Sequence, residues 1–421
     1  MTSPAAQRLG ALSSQLSPAS AQSAKDRLLA QNPDDIVITD AIRTPLTKAR
    51  KGGLKDTPVD ALLVSLLTSV RERLGFDPAL VDDVCVGNVL QPAPGFAARN
   101  AVLAAGFPVG TSANVASRFC SSGLLSIQNV ATAIMAGAID VGIAVGVESM
   151  SQNEDKPPTS SDVIEAHPIA RDNKMPMGWT SENVAKDFGI TRQMQDEVAA
   201  MSQQRADKAK KEGWTKDEIV EVKTKVKDAK SGSWQDVVVK EDDGVRSGTT
   251  KEGLGKIKAA FPQWEPATTT GGNASQITDG AAGVVLMRRS KAQELGVKII
   301  GKYVLSTTVG LEPRIMGIGP SFAIPKILSR TGLKQDDVDI FEINEAFASM
   351  YVYCLDKLQL DREKVNVRGG AIALGHPLGC TGTRQVVTAL SELRRRKQKI
   401  AVTSMCVGTG MGMAGVFVNE A

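Results

Sequence analysis

The sequence predicts an α/β protein made of two similar halves, with a charged subdomain inserted between them. Three observations carry this. Short apolar strands alternate with segments of helical periodicity, the pattern of mixed or parallel sheets covered by helices on both faces. The chain also repeats itself at an offset of 256 residues, which places Asn88 on Asn344, Cys120 on His376 and Gly123 on Gly379. So long a period indicates duplicated domains, since solenoid repeats are far shorter. Between the halves, residues 155–264 turn polar and charge-rich. A length of 421 residues accommodates two or three domains with cores of their own.

Residues 1–34 are rich in Ser, Ala and Gln, show no strand pattern and carry no acid before Asp26, so they are expected to be a targeting or disordered leader. Arg8-Leu9, five residues, then Gln15-Leu16 resembles the N-terminal peroxisomal targeting nonapeptide, with Leu9, Leu12 and Leu16 on one helical face. A mitochondrial transit peptide is the competing reading, although Arg8 and Arg27 are the segment's only arginines. The C-terminal Asn419-Glu420-Ala421 does not resemble a Ser-Lys-Leu signal.

The first half starts at residue 35, where Asp35-Ile36-Val37-Ile38 opens a strand, and its first part runs to residue 154. Residues 61–74 (ALLVSLLTSVRERL) have helical periodicity, and residues 81–90 read as strand and turn. Residues 123–146 are the longest apolar stretch. Gln128, Asn129 and Asp140 within it would be costly in hydrocarbon, so it reads as a buried helix and strand, with no membrane span. The insert holds a helix over 192–212 with Thr191 as N-cap, then a lysine-rich run over 208–230. A solvated face is the ordinary meaning of such lysines; a partial cover over an anionic ligand is the sharper one. Residues 265–297 complete the first half. Residues 298–421 form the second, with a strand from Ile299-Ile300-Gly301, a helix over 323–330 and strand and turn over 338–346.

Composition removes several function classes. A net charge of +4 gives no electrostatic footprint for nucleic acid. Hydrophobic content of 42% with 23% charged residues is that of a globular chain. Five cysteines without a Cys-x-x-Cys pair are no disulfide framework, which suggests a reducing intracellular compartment. His167 and His376 are the only histidines, which limits any histidine chemistry.

Four segments carry chemistry. In Ser117-Arg118-Phe119-Cys120-Ser121-Ser122-Gly123, Cys120 stands at or just before a helix N-terminus, where the dipole and free N–H groups favour a thiolate. In Gly375-His376-Pro377-Leu378-Gly379-Cys380, His376 stands at a turn before a helix, placed to act as a base on a thiol or a donor to an oxyanion. His376 and Cys380 have i, i+4 spacing, but no third or fourth ligand follows, so no metal site is expected. Gly410-x-Gly412-x-x-Gly415 matches a dinucleotide fingerprint as text, yet no helix or downstream acid follows. The segment from Ser404 reads better as a glycine turn presenting Cys406 and backbone N–H groups around a reacting centre. In Asn344-Glu345-Ala346-Phe347, the Asn at a strand end can hold a water or a carbonyl.

Taken together these segments closely resemble the thiolases, especially the peroxisomal 3-ketoacyl-CoA thiolases. The resemblance runs from about residue 35 to the end. It includes Val145-Gly146-Val147-Glu148-Ser149-Met150-Ser151, Met175-Pro176-Met177-Gly178, Ser181-Glu182-Asn183, Gly272-Asn273-Ala274-Ser275 and Met316-Gly317-Ile318-Gly319-Pro320. It departs at Phe119, where many relatives carry Gln, and at Gly271, where Ala is more usual. The resemblance implies a duplicated αβαβα layered fold with an inserted loop domain. It implies thiolytic cleavage of a 3-ketoacyl-CoA by CoA, as in fatty acid β-oxidation. Cys120 would be the nucleophile, His376 its base and Cys406 the second acid and base. Asn344 would hold a water, Gly408 would donate to an oxyanion, and Met177 and Ser275 would lie beside the pantetheine arm. It implies no cofactor, CoA being a substrate. It also implies a homodimer, a peroxisomal location and an import receptor reading the leader. An acetoacetyl-CoA thiolase, a decarboxylating ketoacyl synthase and a non-catalytic acyl-CoA-binding protein are the alternatives.

Overall fold

The computed structural model describes residues 23–156 and 159–421. The leader's Arg8, Leu9, Leu12, Gln15 and Leu16 lie outside the described residues. The leader expected over 1–34 is corrected at its far end. Ser23 caps a helix, α1 (Ala24–Leu29), accepting from the Asp26 N–H at 3.1 Å while Asp26 accepts from the Ser23 N–H at 3.3 Å. Leu28 and Leu29 pack against the core of the second half. Lys302 donates to the Ala30 carbonyl at 2.7 Å, and Arg289 to that of Asn32 at 3.1 Å. Apolar contact and backbone satisfaction make this stretch part of the folded body.

The first half runs β1 (Ile36–Arg43), β2 (Thr47–Lys48), α2 (Val59–Arg73), β3 (Asp83–Gly87), α3 (Pro94–Ala104), β4 (Ser112–Ala116), α4 (Ser122–Met135) and β5 (Val141–Ser149). The insert contributes α5 (Asp162–Ala166), α6 (Met177–Phe188), α7 (Arg192–Lys211), a hairpin of β6 (Val222–Lys227) and β7 (Trp234–Val239), and α8 (Lys251–Gly255). The chain then returns to the first half as β8 (Thr278–Arg288) and α9 (Arg289–Glu294). The second half is β9 (Gly301–Gly310), α10 (Pro320–Thr331), β10 (Ile340–Ile343), α11 (Ala348–Leu358), α12 (Ala371–Leu374), α13 (Leu378–Arg396), β11 (Ile400–Val407) and β12 (Met411–Asn419).

The large strands form one sheet in the order β10-β11-β12-β9-β1-β8-β5-β3-β4. The duplication is explicit in it. β9-β12-β11-β10 repeats β1-β8-β5-β3 with the same senses, two antiparallel pairings and then a parallel one. A parallel bridge between Phe341 and Val365 stands where β4 meets β3.

Strand alternation builds the layers. On β3, Val84 and Val86 share an outer cluster with Leu62 and Leu66 of α2 and Val102 of α3. Cys85, between them, faces an inner cluster with Leu124 and Ile127 of α4 and Val386 and Leu390 of α13. In the second half Met405 and Val407 join the inner cluster, while Val402 faces Ile324 and Ile327 of α10 and Leu355 of α11. The result is five layers, α/β/α/β/α, with α4 and α13 packed together in the middle. Their contact needs glycine: a Cβ on Gly382 would stand 2.3 Å from the Leu124 nitrogen.

The expected N-cap of α7 is present, Thr191 Oγ1 accepting from the Met194 N–H at 3.3 Å. Among the described residues the insert has no core cluster of its own: Val198 and Ala199 of α7 belong to the outer core of the second half. A buried ion network ties it to both halves. Arg43 of β1 bonds Glu218 at 2.9 Å and Asp242 at 2.8 Å, and Glu218 meets Arg368 at 3.2 Å, which bonds Glu392 of α13 at 2.6 Å. Among the described residues no helix is long and apolar enough to cross a membrane.

Candidate active site

The site lies where the middle helices begin, at the C-terminal ends of β10 and β11. The turn before α4 is tight. Phe119 takes φ of 44°, a left-handed conformation that costs an L-residue about 1 kcal/mol or more. Two serines hold it. Ser122 Oγ accepts from the Arg118 N–H at 2.9 Å and donates to the Phe119 carbonyl at 2.7 Å, and Ser121 Oγ donates to the Arg118 carbonyl at 3.0 Å. Cys120 is thereby left just ahead of the helix and buried.

Helix-start stabilisation of a resting thiolate, expected from the sequence, is overturned. Burial dominates and pushes the Cys120 thiol up to about 11, although the N–H groups of Gly408 and of Cys120 itself bond the sulfur and pull the other way. Cys120 rests as a thiol and needs a base.

Cys406 sits within β11, near the strand's end, where a glycine turn was expected. The turn comes after it, with Thr409 at φ 69° and Gly410 at φ 83°. The glycine-rich text from Met411 onward is β12 itself, paired with β9 and β11. Burial first, and then the neighbouring Cys120, push the Cys406 thiol well above its ordinary range. The Phe119 ring packs on Gly408, where a Cβ would stand 3.3 Å from it. All five cysteines are unpaired and buried.

His376 precedes α13, which starts at Leu378. Its hydrogen bonds suit one tautomer. With the Thr381 Oγ1 proton on the Pro377 carbonyl at 3.0 Å, that oxygen accepts from His376 Nδ1–H at 2.5 Å. Nε2 then carries the lone pair, which accepts from Asn344 Nδ2 at 3.2 Å. Burial, and then the positive charge of Arg384, lower the His376 pKa to about 3. The imidazole is therefore neutral, and Nε2 is its basic nitrogen. Asn344 follows β10 and is placed by its own N–H, which donates to the Ser404 carbonyl at 2.9 Å. Its side-chain Oδ1 is buried with no partner among the described residues, an acceptor fit for a water or ligand N–H or O–H.

Met177 begins α6, half-buried against the second half's outer core. Ser275 donates its N–H to the Ala346 carbonyl at 3.0 Å, beside the Asn344 loop. Ser181 of α6 links the two regions, its hydroxyl 2.7 Å from that of Thr269 and 2.8 Å from that of Ser349. His167 is exposed in the insert and takes no part. No three His, Cys, Asp or Glu groups among the described residues are arranged to hold a metal ion. Sequence reasoning missed Thr381, one helical turn past His376. It also gave no role to Glu148 or Glu345, which bond the loop carrying His376.

A family model described as the thiolase N-terminal domain matches residues 36–290, and one described as the thiolase C-terminal domain matches residues 297–419. The peroxisomal 3-ketoacyl-CoA thiolase B of Rattus norvegicus is 51% identical over 387 residues, 91% of this chain and 90% of that protein. The dimeric peroxisomal thiolase of Saccharomyces cerevisiae matches with a TM-score of 0.87 at 47% identity, covering 94% of this chain and 100% of that one. A second structure of the peroxisomal 3-ketoacyl-CoA thiolase of Saccharomyces cerevisiae, described as five-layered with two core domains of identical topology, matches with a TM-score of 0.76 at 42% identity. It covers 93% of this chain and 100% of that one.

Proposed function

The chain belongs to the thiolase family, and from that premise we propose that it is a peroxisomal 3-ketoacyl-CoA thiolase working in fatty acid β-oxidation. What supports the reading is a buried thiol, Cys120, bonded by the Gly408 N–H, a second thiol, Cys406, near enough to feel its charge, and a buried neutral imidazole, His376, beside Asn344.

His376 Nε2 takes the Cys120 proton as the sulfur attacks the 3-keto carbon. The N–H groups of Cys120 and Gly408, which bond the sulfur in the free site, meet the tetrahedral oxyanion. The C2–C3 bond breaks, leaving an acyl group on Cys120 and the enolate of acetyl-CoA. Nε2–H, now a donor, and a water held by Asn344 Oδ1 stabilise that enolate. Cys406 protonates its C2 carbon, and acetyl-CoA leaves. CoA enters and gives its thiol proton to the Cys406 thiolate. Its sulfur takes the acyl group, and departing Cys120 recovers its proton from His376. No redox or metal step is needed, and CoA is a substrate. Met177 and Ser275 lie beside the pantetheine arm, where an apolar contact and a hydroxyl suit an extended amide-bearing ligand.

A homodimer is part of the proposal. β4 ends the sheet with an unpaired edge, and Phe96 and Val109 near it are 77% and 81% exposed. The import receptor would read the leader around Arg8-Leu9 and Gln15-Leu16.

Loss of the 3-ketoacyl absorbance, followed with CoA and either acetoacetyl-CoA or a long-chain 3-ketoacyl-CoA, tests the reading. Faster long-chain cleavage is expected. Activity confined to acetoacetyl-CoA points to the four-carbon enzyme, and no cleavage by folded, reduced protein removes the enzyme. One residue change probes the tautomer. Thr381→Val removes the acceptor of Nδ1–H, and kcat is expected to fall by about 10- to 100-fold, the cost of an unpaired buried donor. Thr381→Ser is expected to restore most of it, in steady-state thiolysis of acetoacetyl-CoA.

A further inference from the structure

Glu148 is a fully buried carboxylate near the end of β5. It accepts from the N–H groups of Val89 at 3.1 Å and Leu90 at 3.2 Å and from the Asn88 side-chain amide at 3.1 Å. Its fourth donor is the Gly379 N–H at 3.0 Å, in the first turn of α13 and three residues past His376. The buried carboxylates Glu218, Glu342 and Glu392 each face an arginine. Among the described residues Glu148 has no such cation in hydrogen-bond contact, a condition it shares with the buried Glu182 and Glu345. A buried charge satisfied by dipoles alone is costly to keep, which suggests a task other than stability.

Gly379 is what allows the contact. A Cβ there would stand 2.5 Å from the Val147 carbonyl and 2.8 Å from that of Gly87, so only glycine lets the helix start come this close. The other end of the loop is pinned as well. Glu345 accepts from the Ile372 N–H at 3.1 Å and from Ser202 Oγ at 2.6 Å, and that hydroxyl accepts from the Gly370 N–H at 3.0 Å. The His376 N–H is held by the Gln276 carbonyl at 2.9 Å.

We propose that Glu148 is a positioning residue of the reaction: through Gly379 it fixes the start of α13, and with it the His376 imidazole and its Thr381 partner, against the half that carries Cys120. The inference rests on the thiolase reading above.

Burial raises the Glu148 carboxyl to about 7, against its four hydrogen bonds. Around it, Cys120 ahead of α4 is raised to about 11, Cys380 on α13 to about 12, and His376 is lowered to about 3. Arg384 is a cation further along α13, and Asp279 on β8, across from Ser149, is bonded to Ser151 and raised by burial. As pH falls through about 7, Glu148 gains a proton and loses acceptor strength toward Gly379. An acid limb in kcat near neutrality is the expected result, since His376 is already neutral there; Glu342 on β10 is raised by burial to about 7 as well and Glu345 is raised, so loss of the limb in Glu148→Gln is what ties it to Glu148.

The test is steady-state thiolysis of acetoacetyl-CoA by the full chain across pH, with Glu148→Gln and Asp339→Asn. Asp339 also bonds two backbone N–H groups, of Lys399 and Ile400 at 2.9 Å each, but at the opposite end of the sheet. Glu148→Gln is expected to lose kcat by about 10-fold or more, to keep KM for both substrates within about 2-fold, and to lose the acid limb. Asp339→Asn is expected to keep the native kcat even where its melting temperature falls. If Glu148→Gln does not fold, Glu148→Asp, which draws the carboxylate back from Gly379, carries the same expected loss. A native-like kcat in a folded Glu148 variant overturns the inference, and so does a loss shared by Asp339→Asn in step with melting temperature. Absence of cleavage by the native chain would overturn the thiolase reading instead.

Discussion

Replacing Cys120 with alanine abolishes thiolytic cleavage, lowering kcat by at least about 10⁴-fold, because no other group can carry the acyl intermediate. The fold survives the change. The turn before α4 is held by the hydroxyls of Ser121 and Ser122 and by backbone, none of which involves the sulfur. The site's charge state gives the variant a companion. The native thiol is raised to about 11 and His376 lowered to about 3, so no thiolate–imidazolium pair exists at rest. Alkylation of Cys120 by iodoacetamide is therefore expected to be slow at neutral pH and to rise about 10-fold per pH unit below the thiol's pKa. Near-native turnover by Cys120→Ala would refute the nucleophile assignment, and rapid alkylation with a midpoint near neutrality would refute the resting thiol.

Cys406→Ala separates the two half-reactions. Attack by Cys120 and cleavage of C2–C3 need Cys120 and His376, while Cys406 moves the proton to the enolate and from CoA. Overall turnover is expected to fall by about 10³-fold, within the range that one general acid–base group supplies. Acylation of Cys120 is expected to survive in part, read as a single-turnover burst of acyl-enzyme without CoA. Equal loss of both half-reactions would place Cys406 in the attack step.

Much of this was legible in the sequence because it is local. The duplication showed in the register of Asn88 with Asn344 and Cys120 with His376, and the two half-sheets repeat one another strand for strand. Thr191 announced its helix, and the text around Cys120, His376, Asn344 and Cys406 announced the family. What escaped depends on distance or burial. Cys406 was read into a glycine turn, yet Gly412 is a strand glycine, required because a Cβ would stand 2.5 Å from the Gly319 carbonyl. The Cys120 pKa was read from its place at a helix start, whereas burial decides it, and burial belongs to the whole fold. Glu148 and Gly379 are separated by 231 residues, so no local pattern could pair them. Residues 23–34 look like leader in composition; only their contacts with Lys302 and Arg289 place them in the body.

The central claim is that acyl transfer runs through Cys120. The most direct measurement is to mix the full chain with a long-chain 3-ketoacyl-CoA in the absence of CoA, quench, digest and weigh the cysteine peptides. The expected result is one chain-shortened acyl group on the peptide containing Cys120, lost again when CoA is added. An acyl group on Cys406 or Cys380, or turnover with no acylated peptide at all, would contradict it.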